Sequence, residues 1–384
     1  MDSQIKIGFI GGGARSRALW NYLLSSEEME DLVIPQALLD INDKIINEWR
    51  FLVENTHDTM DSFLKDDLDA VIIGTPPSTH AALSIKCLEA GIDVWSEVPM
   101  GLNMDELWGI IDARKSNKGN KGRYFYGENY CFMTQPQFMA MQNKNNNIGD
   151  IYYSEGEYSH SVEHYMIEEN FLRKVDPELD PEIHTNTKPT WRADFVPIKY
   201  GHALGPCLYV LNNNYQGIIE RPTEVSAMGN MKMQKRFNTQ NFQIATIKTS
   251  EETIVKFVIA FVLGHHGRIF YSFSGSRGLF VGKSYQSDKH YFYSVPKDKG
   301  YYPERHQQEA QLLTNQDLIE LGTPTAQGGH GGSDILMFQS WINSLLKTKP
   351  MEIDVFRGAE MTAPGILAHQ AIKEKKVLEI PKFS

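Results

Sequence analysis

The sequence predicts an α/β protein of two domains. A doubly wound parallel sheet occupies residues 1–130, and an α/β domain with a large open, mainly antiparallel sheet occupies 131–384. Three observations carry this. Short apolar strand patterns alternate with helical ones through the first third, as parallel strands with right-handed crossovers require. A glycine-rich turn joins the first strand to the first helix. After about residue 129 the pattern becomes strand-rich, with turn signals at short intervals. A length of 384 residues suits two domains at roughly 100–200 residues each.

The elements follow in order. Ile5–Ile10 is a β-type run, Arg17–Ser25 a helix, and Val33–Leu39 a strand ending at Asp40. Asp43–Asn55 reads as a helix, Asp69–Gly74 as a strand, Thr79–Ala90 as a helix and Asp93–Glu97 as a strand. In the helix Asp105–Ser116, Leu107, Trp108 and Ile111 recur at helical spacing. Tyr124–Tyr126 closes the first sheet. Gln135–Lys144 is a helix ended by polar residues and Gly149. Ile151–His160, Phe242–Ile247, Thr253–Leu263, Arg268–Ser274 and Gly278–Val281 are strands. Met228, Met231 and Met233 read as sheet packing. Met166–Pro189 is polar, holds three prolines and reads as a surface excursion. Asp334–Lys347 is a helix, and Val355–Lys376 is mostly helical with an interruption at Pro364.

Composition excludes several classes. The 38 basic residues against 48 acidic ones give a net charge of −10, so binding to nucleic acid through phosphate neutralisation is not expected. The three cysteines, Cys87, Cys131 and Cys207, are odd in number and widely spaced. Neither a disulfide framework nor a cysteine zinc site follows, and no metal is expected. No signal-peptide pattern is visible, and the longest apolar run, Phe257–Leu263, is far short of the ~18–20 residues that span a bilayer. A cytoplasmic protein without membrane contact is expected.

The run Gly11-Gly12-Gly13-Ala14-Arg15-Ser16 follows a strand and opens a helix, which makes it a dinucleotide site. Gly11 serves the tight turn and Gly13 the approach of a pyrophosphate, while Ala14, Arg15 and Ser16 begin the helix that faces it. Ser16 stands where a third glycine is usual. Asp40, 24 residues after Ser16, is placed to accept the ribose hydroxyls and to repel a 2′-phosphate, so NAD is the expected cofactor. Thr75, Pro76 and His80 follow one later strand and Glu97 ends another, at the sheet edge where such ligands bind.

These segments resemble the Gfo/Idh/MocA family of nicotinamide-dependent oxidoreductases, and the resemblance covers nearly the whole chain. The family has an N-terminal Rossmann domain and a C-terminal α/β domain with an open sheet. Its usual Glu-Lys-Pro is Glu97-Val98-Pro99 here. That variant looks like the branch holding NAD-dependent α-N-acetylgalactosaminidases and related glycoside-active proteins. Glu128-Asn129-Tyr130-Cys131, Glu155–His160, Trp191-Arg192, Gly201-His202-Ala203-Leu204-Gly205-Pro206 and Gly329-His330-Gly331-Gly332-Ser333-Asp334 resemble its segments in the right order. One departure is Lys199, where the branch has tyrosine, with Tyr200 next to it. Lys199 offers a cation in place of the absent lysine. The resemblance further implies that Glu97 and Asn129 hold the nicotinamide end, that the substrate is a sugar or glycoside, and that the chain forms a dimer or tetramer.

Hydride transfer from a carbinol needs a base for the hydroxyl proton, and histidine suits this near neutral pH. His202 is the candidate base, with Tyr158 as partner and Lys199 nearby in sequence. Trp191, Arg192, Tyr200, His160 and His330 are candidates for holding substrate. The parts fit net oxidation of a ring hydroxyl at C3. They also fit a redox-neutral hydrolysis that proceeds by oxidation, elimination of the C1 aglycone, hydration and reduction. A nucleotide sensor without turnover is a third class, against which His202 and Tyr158 speak.

Overall fold

The computed structural model describes residues 4–23, 31–117, 121–160, 195–230, 240, 242–261, 263, 267–283, 287–295, 310–346 and 350–384. They form two compact units. The first comprises Met1–Thr134, Pro324–Ala363 and Phe383–Ser384; the second comprises Gln135–Thr323 and Pro364–Lys382.

The first unit is built on a six-stranded sheet. Its strands are β1 (Ile5–Ile10), β2 (Val33–Leu39), β3 (Asn55–His57), β4 (Ala70–Ile73), β5 (Asp93–Ser96) and β6 (Tyr124–Tyr126), in the order β3-β2-β1-β4-β5-β6. Every neighbouring pair is parallel. The order reverses between β1 and β4, and ligands of doubly wound sheets bind at the carboxyl ends of strands at such a point. Connecting helices are α1 (Ala14–Leu23), α2 (Asp43–Trp49), α3 (Met60–Phe63), α4 (Pro77–Glu89) and α5 (Met104–Ser116). α2 is shorter than the expected 43–55, because the chain turns after Trp49 to lay down β3. The residues of β3 are polar, so no apolar alternation announces them.

A linear partition at residue 130 puts all of 131–384 in one domain, whereas Pro324–Ala363 belongs to the first unit. Packing explains the return. In α9 (Ser333–Leu345), Trp341 meets Trp95 of β5 edge-on at 5.2 Å, and Phe338 lies 5.8 Å from the same ring. Both tryptophans are fully buried. Arg123 pairs with Asp93 at 2.6 Å and donates to the Ser344 carbonyl.

The second unit carries a nine-stranded sheet: β7 (Ile151–Ser159), β8 (Pro222–Asn230), β9 (Phe242–Thr249), β10 (Ile254–Ala260), β11 (Arg268–Gly275), β12 (Gly278–Val281), β13 (His290–Ser294), β14 (Gln311–Leu313) and β15 (Leu378–Glu379). The order is β14-β13-β12-β11-β7-β10-β9-β8-β15. The pairing is antiparallel except between β7 and β10. The helices α6 (Thr134–Lys144), α7 (Gly205–Asn212) and α8 (Asn315–Glu320) fall in this part of the chain. α10 (Val355–Glu374) runs through Pro364 without the expected break. Ala363, Ile366, Leu367 and Ala368 around it are buried, and that burial outweighs the lost N–H.

Registered partners share a face of a sheet. Tyr153, Glu155 and Glu157 of β7 therefore share one with Ile254 and Lys256 of β10, Ile244 of β9 and Met228 of β8. Met228 is 81% exposed there, which corrects its expected packing role; Met231 and Met233 lie outside the described residues. Gly156 and Tyr158 point to the other face.

Candidate functional site

In the first unit the turn after β1 is shaped by its glycines. Gly11 has φ +84°, and a side chain there would meet Thr75 Cγ2 at 2.7 Å. A side chain on Gly12 would run into Ile45 and Trp49, whose indole N–H donates to the Gly12 carbonyl at 2.9 Å. Gly13 differs: nothing lies within 4 Å of where its Cβ would be. Gly13 and Ala14 are exposed at the start of α1, where backbone N–H groups and the helix dipole favour an anion. Ser16 is fully buried and abuts Gly74, so the room a third glycine would give is supplied from the β4 side.

Asp40 lies beside this turn. It accepts the N–H of Gly12 at 2.8 Å through Oδ2 and that of Asn42 at 2.9 Å through Oδ1. Each oxygen retains a lone pair for a ribose hydroxyl. The open cradle at Gly13 and the acceptor pair of Asp40 fit a dinucleotide without a 2′-phosphate.

Arg15, in the same turn, faces two carboxylates. Its Nε lies 3.0 Å from Glu97 Oε1 and its Nη1 3.0 Å from Asp334 Oδ1. Burial pulls the guanidinium pKa down, but the Glu97 and Asp334 charges outweigh it and the net shift is upward. Among the described residues its buried Nη2 has no hydrogen-bond partner. Asn129, expected at the cofactor, is buried and donates to Asp334 Oδ1 at 2.9 Å. His80 is also buried: its Nδ1 faces the Pro99 carbonyl at 2.9 Å and its Nε2 the Thr75 carbonyl at 2.8 Å. With both nitrogens on backbone it braces the loops that carry Thr75 and Glu97. Burial lowers its pKa, against those carbonyl bonds and Glu97. Pro76 caps α4 and is exposed.

Asp334 is the residue sequence reasoning missed, although His330 and Asp334 stand i, i+4 in the Gly-His-Gly-Gly segment. Only 1% exposed, it takes His330 Nδ1 on Oδ2 at 2.7 Å. Burial alone would push its carboxyl up; the His330 bond, the Arg15 charge and the Asn129 bond hold it below the usual range. An ionised carboxylate only accepts, so His330 Nδ1 carries the proton of this bond and Nε2 is left outside it. The imidazole is half-exposed.

In the second unit His202 sits in a 3-10 turn, Gly201–Ala203, that rests on β7. Gly156 makes this possible, since any Cβ there would collide with the Ala203 carbonyl. Tyr271, fully buried on β11, donates its hydroxyl to the His202 carbonyl at 2.6 Å. Tyr158, two residues along the same face from Gly156, meets the His202 ring edge-on at 4.9 Å. His160 stacks on Tyr158 at 6.0 Å, and Tyr200 lies 5.7 Å from His202. Phe261, unnoticed in the sequence, touches both tyrosines. His202, Tyr158, His160 and Tyr200 are thus brought together. Lys199 precedes the turn in a separate 3-10 segment, and its charge helps to push the His369 pKa to about 4, behind burial and Lys373. Trp191, Arg192 and the Met166–Pro189 excursion lie outside the described residues. Among the described residues no group of three His, Cys, Asp or Glu is placed to hold a metal ion.

The fold and the turn at Gly11–Ser16 with Asp40 define a dinucleotide-binding α/β chain. Residues 5–120 match the family model described as oxidoreductase family, NAD-binding Rossmann fold. Residues 135–384 match that of the glycosyl hydrolase 109 C-terminal domain, and the chain belongs to glycosyl hydrolase family 109. It is 23% identical over 427 residues to a glycosyl hydrolase family 109 protein of Shewanella pealeana, covering 100% of this chain and 86% of that protein. It is 22% identical over 408 residues to an alpha-N-acetylgalactosaminidase of Shewanella oneidensis, covering 99% and 85%. Levoglucosan dehydrogenase in complex with NADH shares the fold, with TM-score 0.76, 14% identity and coverage of 99% and 100%. So does an NAD binding oxidoreductase from Klebsiella pneumoniae, with TM-score 0.77, 13% identity and coverage of 99% of each chain.

Proposed function

We propose that this chain is an NAD-dependent glycoside hydrolase whose cycle opens by oxidising a ring hydroxyl, at C3, of a sugar glycoside. The observation that carries this is the His202–Tyr158 pair, a base and a hydroxyl at one place in the second unit, within a stretch that matches the glycosyl hydrolase 109 C-terminal domain. In the first unit His330, held on Asp334, is taken by itself as a further acid/base group. Net oxidation needs one base; release of an aglycone also needs a proton donor for the leaving oxygen. Bound NAD would supply the acceptor for the sugar's hydride and its later return, so that no net oxidation would result. Gly11, Gly13, Ala14 and Asp40 would hold it, with Glu97 kept in place by Arg15.

His202 takes the C3 hydroxyl proton, and Tyr158 fixes the imidazole edge-on and offers a hydroxyl beside it. A carbonyl at C3 acidifies the C2 hydrogen. That proton passes to a base as the C1–O bond breaks, and the leaving oxygen takes a proton. Water then adds at C1 and a proton returns to C2. Net oxidation of the same hydroxyl is the second reading, favoured by Lys199 where the glycosidases have tyrosine. Following aglycone and NADH together separates them. Aglycone accumulating well beyond NADH supports hydrolysis; NADH formed mole for mole with ketone and no aglycone removes it.

A homo-oligomer, dimer or tetramer, is part of this reading. It is supported by the open sheet face, where Met228, Ile244, Ile254, Tyr291 and Leu312 are exposed. Sedimentation equilibrium should give a multiple of the 43.7 kDa chain mass; a monomer at micromolar concentration would remove it. A cytoplasmic location is supported by Cys87 and Cys207, free thiols that are buried as in a reducing compartment. Recovery from a secreted fraction would contradict it. Among the described residues no helix is long and apolar enough to cross a membrane.

A further inference from the structure

α1 meets the Gly328–Gly332 loop at two points. In its first turn Arg15 reaches Asp334 Oδ1 at 3.0 Å, and Asp334 holds His330 Nδ1 at 2.7 Å. Seven residues further along, the Tyr22 hydroxyl accepts the Gly329 N–H at 2.9 Å. Seven residues are close to two helical turns, so both side chains leave the same face of α1.

The loop between these pins does not have a shape its own backbone favours. Gly328, His330, Gly331 and Gly332 all have positive φ, and at His330 the value is +53°. A residue with a Cβ is disfavoured there unless its surroundings impose it. On one side the Ala326 carbonyl fills the space a side chain on Gly332 would need, and on the other the Tyr22 hydroxyl does the same for Gly329. The Ser333 hydroxyl donates to the His330 carbonyl at 3.1 Å. Tyr22 is the contact in this set that comes from a different element and can lose one atom without changing the loop's own residues.

We propose that Tyr22 is a positioning residue for His330: acting from the cofactor-binding helix through the Gly329 N–H, it holds the left-handed loop so that the imidazole meets Asp334 and presents Nε2. This rests on the proposed acid/base role of His330. Tyr22 sits in the last turn of α1, away from the Gly13 end, so its hydroxyl contributes to His330 placement and not to cofactor affinity.

The test is Tyr22→Phe in the full chain, which keeps the ring and removes the acceptor. Losing the bond should lower kcat for aglycone release about tenfold. The Kd for NAD, from titration calorimetry, should stay within about twofold of wild type. Amide exchange at Gly329, read by mass spectrometry or NMR, should speed up about tenfold. Three outcomes overturn the proposal: unchanged exchange at Gly329, faster exchange with kcat intact, or kcat and NAD affinity falling together. The acid/base role is tested apart from it by His330→Ala. If that variant turns over normally, the reading of His330 fails whatever Tyr22→Phe does, while exchange at Gly329 still reports whether the pin exists.

Discussion

His202→Ala should lower aglycone release by about a thousandfold, within the range that removal of a positioned base produces. The fold should survive, because the turn is held by backbone contacts that the substitution leaves alone. The Ala203 carbonyl still lies over Gly156, and the Tyr271 hydroxyl still meets the carbonyl of residue 202. Steady-state rates, with circular dichroism and thermal midpoint unchanged, check this. Tyr158→Phe should cost less, about tenfold, because the edge-on ring contact at 4.9 Å remains and one hydroxyl is lost. Turnover of His202→Ala at the wild-type rate would remove His202 from the chemistry, and with it the main evidence for a base in the second unit.

Arg15→Met should destabilise the chain by about 3–5 kcal/mol, the usual cost of leaving buried charge unpaired. The substitution leaves Glu97 and Asp334 facing each other across an apolar side chain, with Asp334 only 1% exposed. Urea denaturation reads the loss, and pH reads its origin. Against burial, the His330 bond, Arg15 and Asn129 keep the folded-state pKa of Asp334 below its ordinary value. Such a group stabilises the fold above about pH 4, and the contribution disappears as pH falls through the folded value. The wild-type advantage over Arg15→Met should therefore be full at neutral pH and shrink on acidification below about pH 4. An advantage that grows toward acid would contradict the ion-pair account.

The doubly wound sheet is legible because its strands are apolar runs separated by amphipathic helices, and Gly11, Gly13 and Asp40 carry their meaning in their spacing. The three polar residues of β3 give no such signal. Neither does β8, in which Met228 points to solvent although its strand is part of the sheet. The return of Pro324–Ala363 to the first unit depends on Trp341 finding Trp95, a pairing across 246 positions that no local pattern records. At the site, His202 with Tyr158 and His330 within its glycine loop are visible as motifs. What the motifs do not show is direction. Arg15 stands in the cofactor turn in sequence but pairs with two carboxylates, and His80 follows the Thr75 loop in sequence but lies buried with its ring nitrogens against the Pro99 and Thr75 carbonyls. Asp334 is legible only once the i, i+4 spacing to His330 is put on a helix start.

In the proposed cycle, oxidation is a stage of the reaction and not its end. The measurement that meets it most directly is turnover of a glycoside with NAD in heavy water, with the released sugar examined by NMR at C2. The account predicts aglycone release with no net NADH and one deuterium at C2 in the product, since elimination removes that hydrogen and solvent replaces it. Free aglycone with the C2 hydrogen fully retained, or NADH formed mole for mole with a keto-sugar and no aglycone, would contradict it.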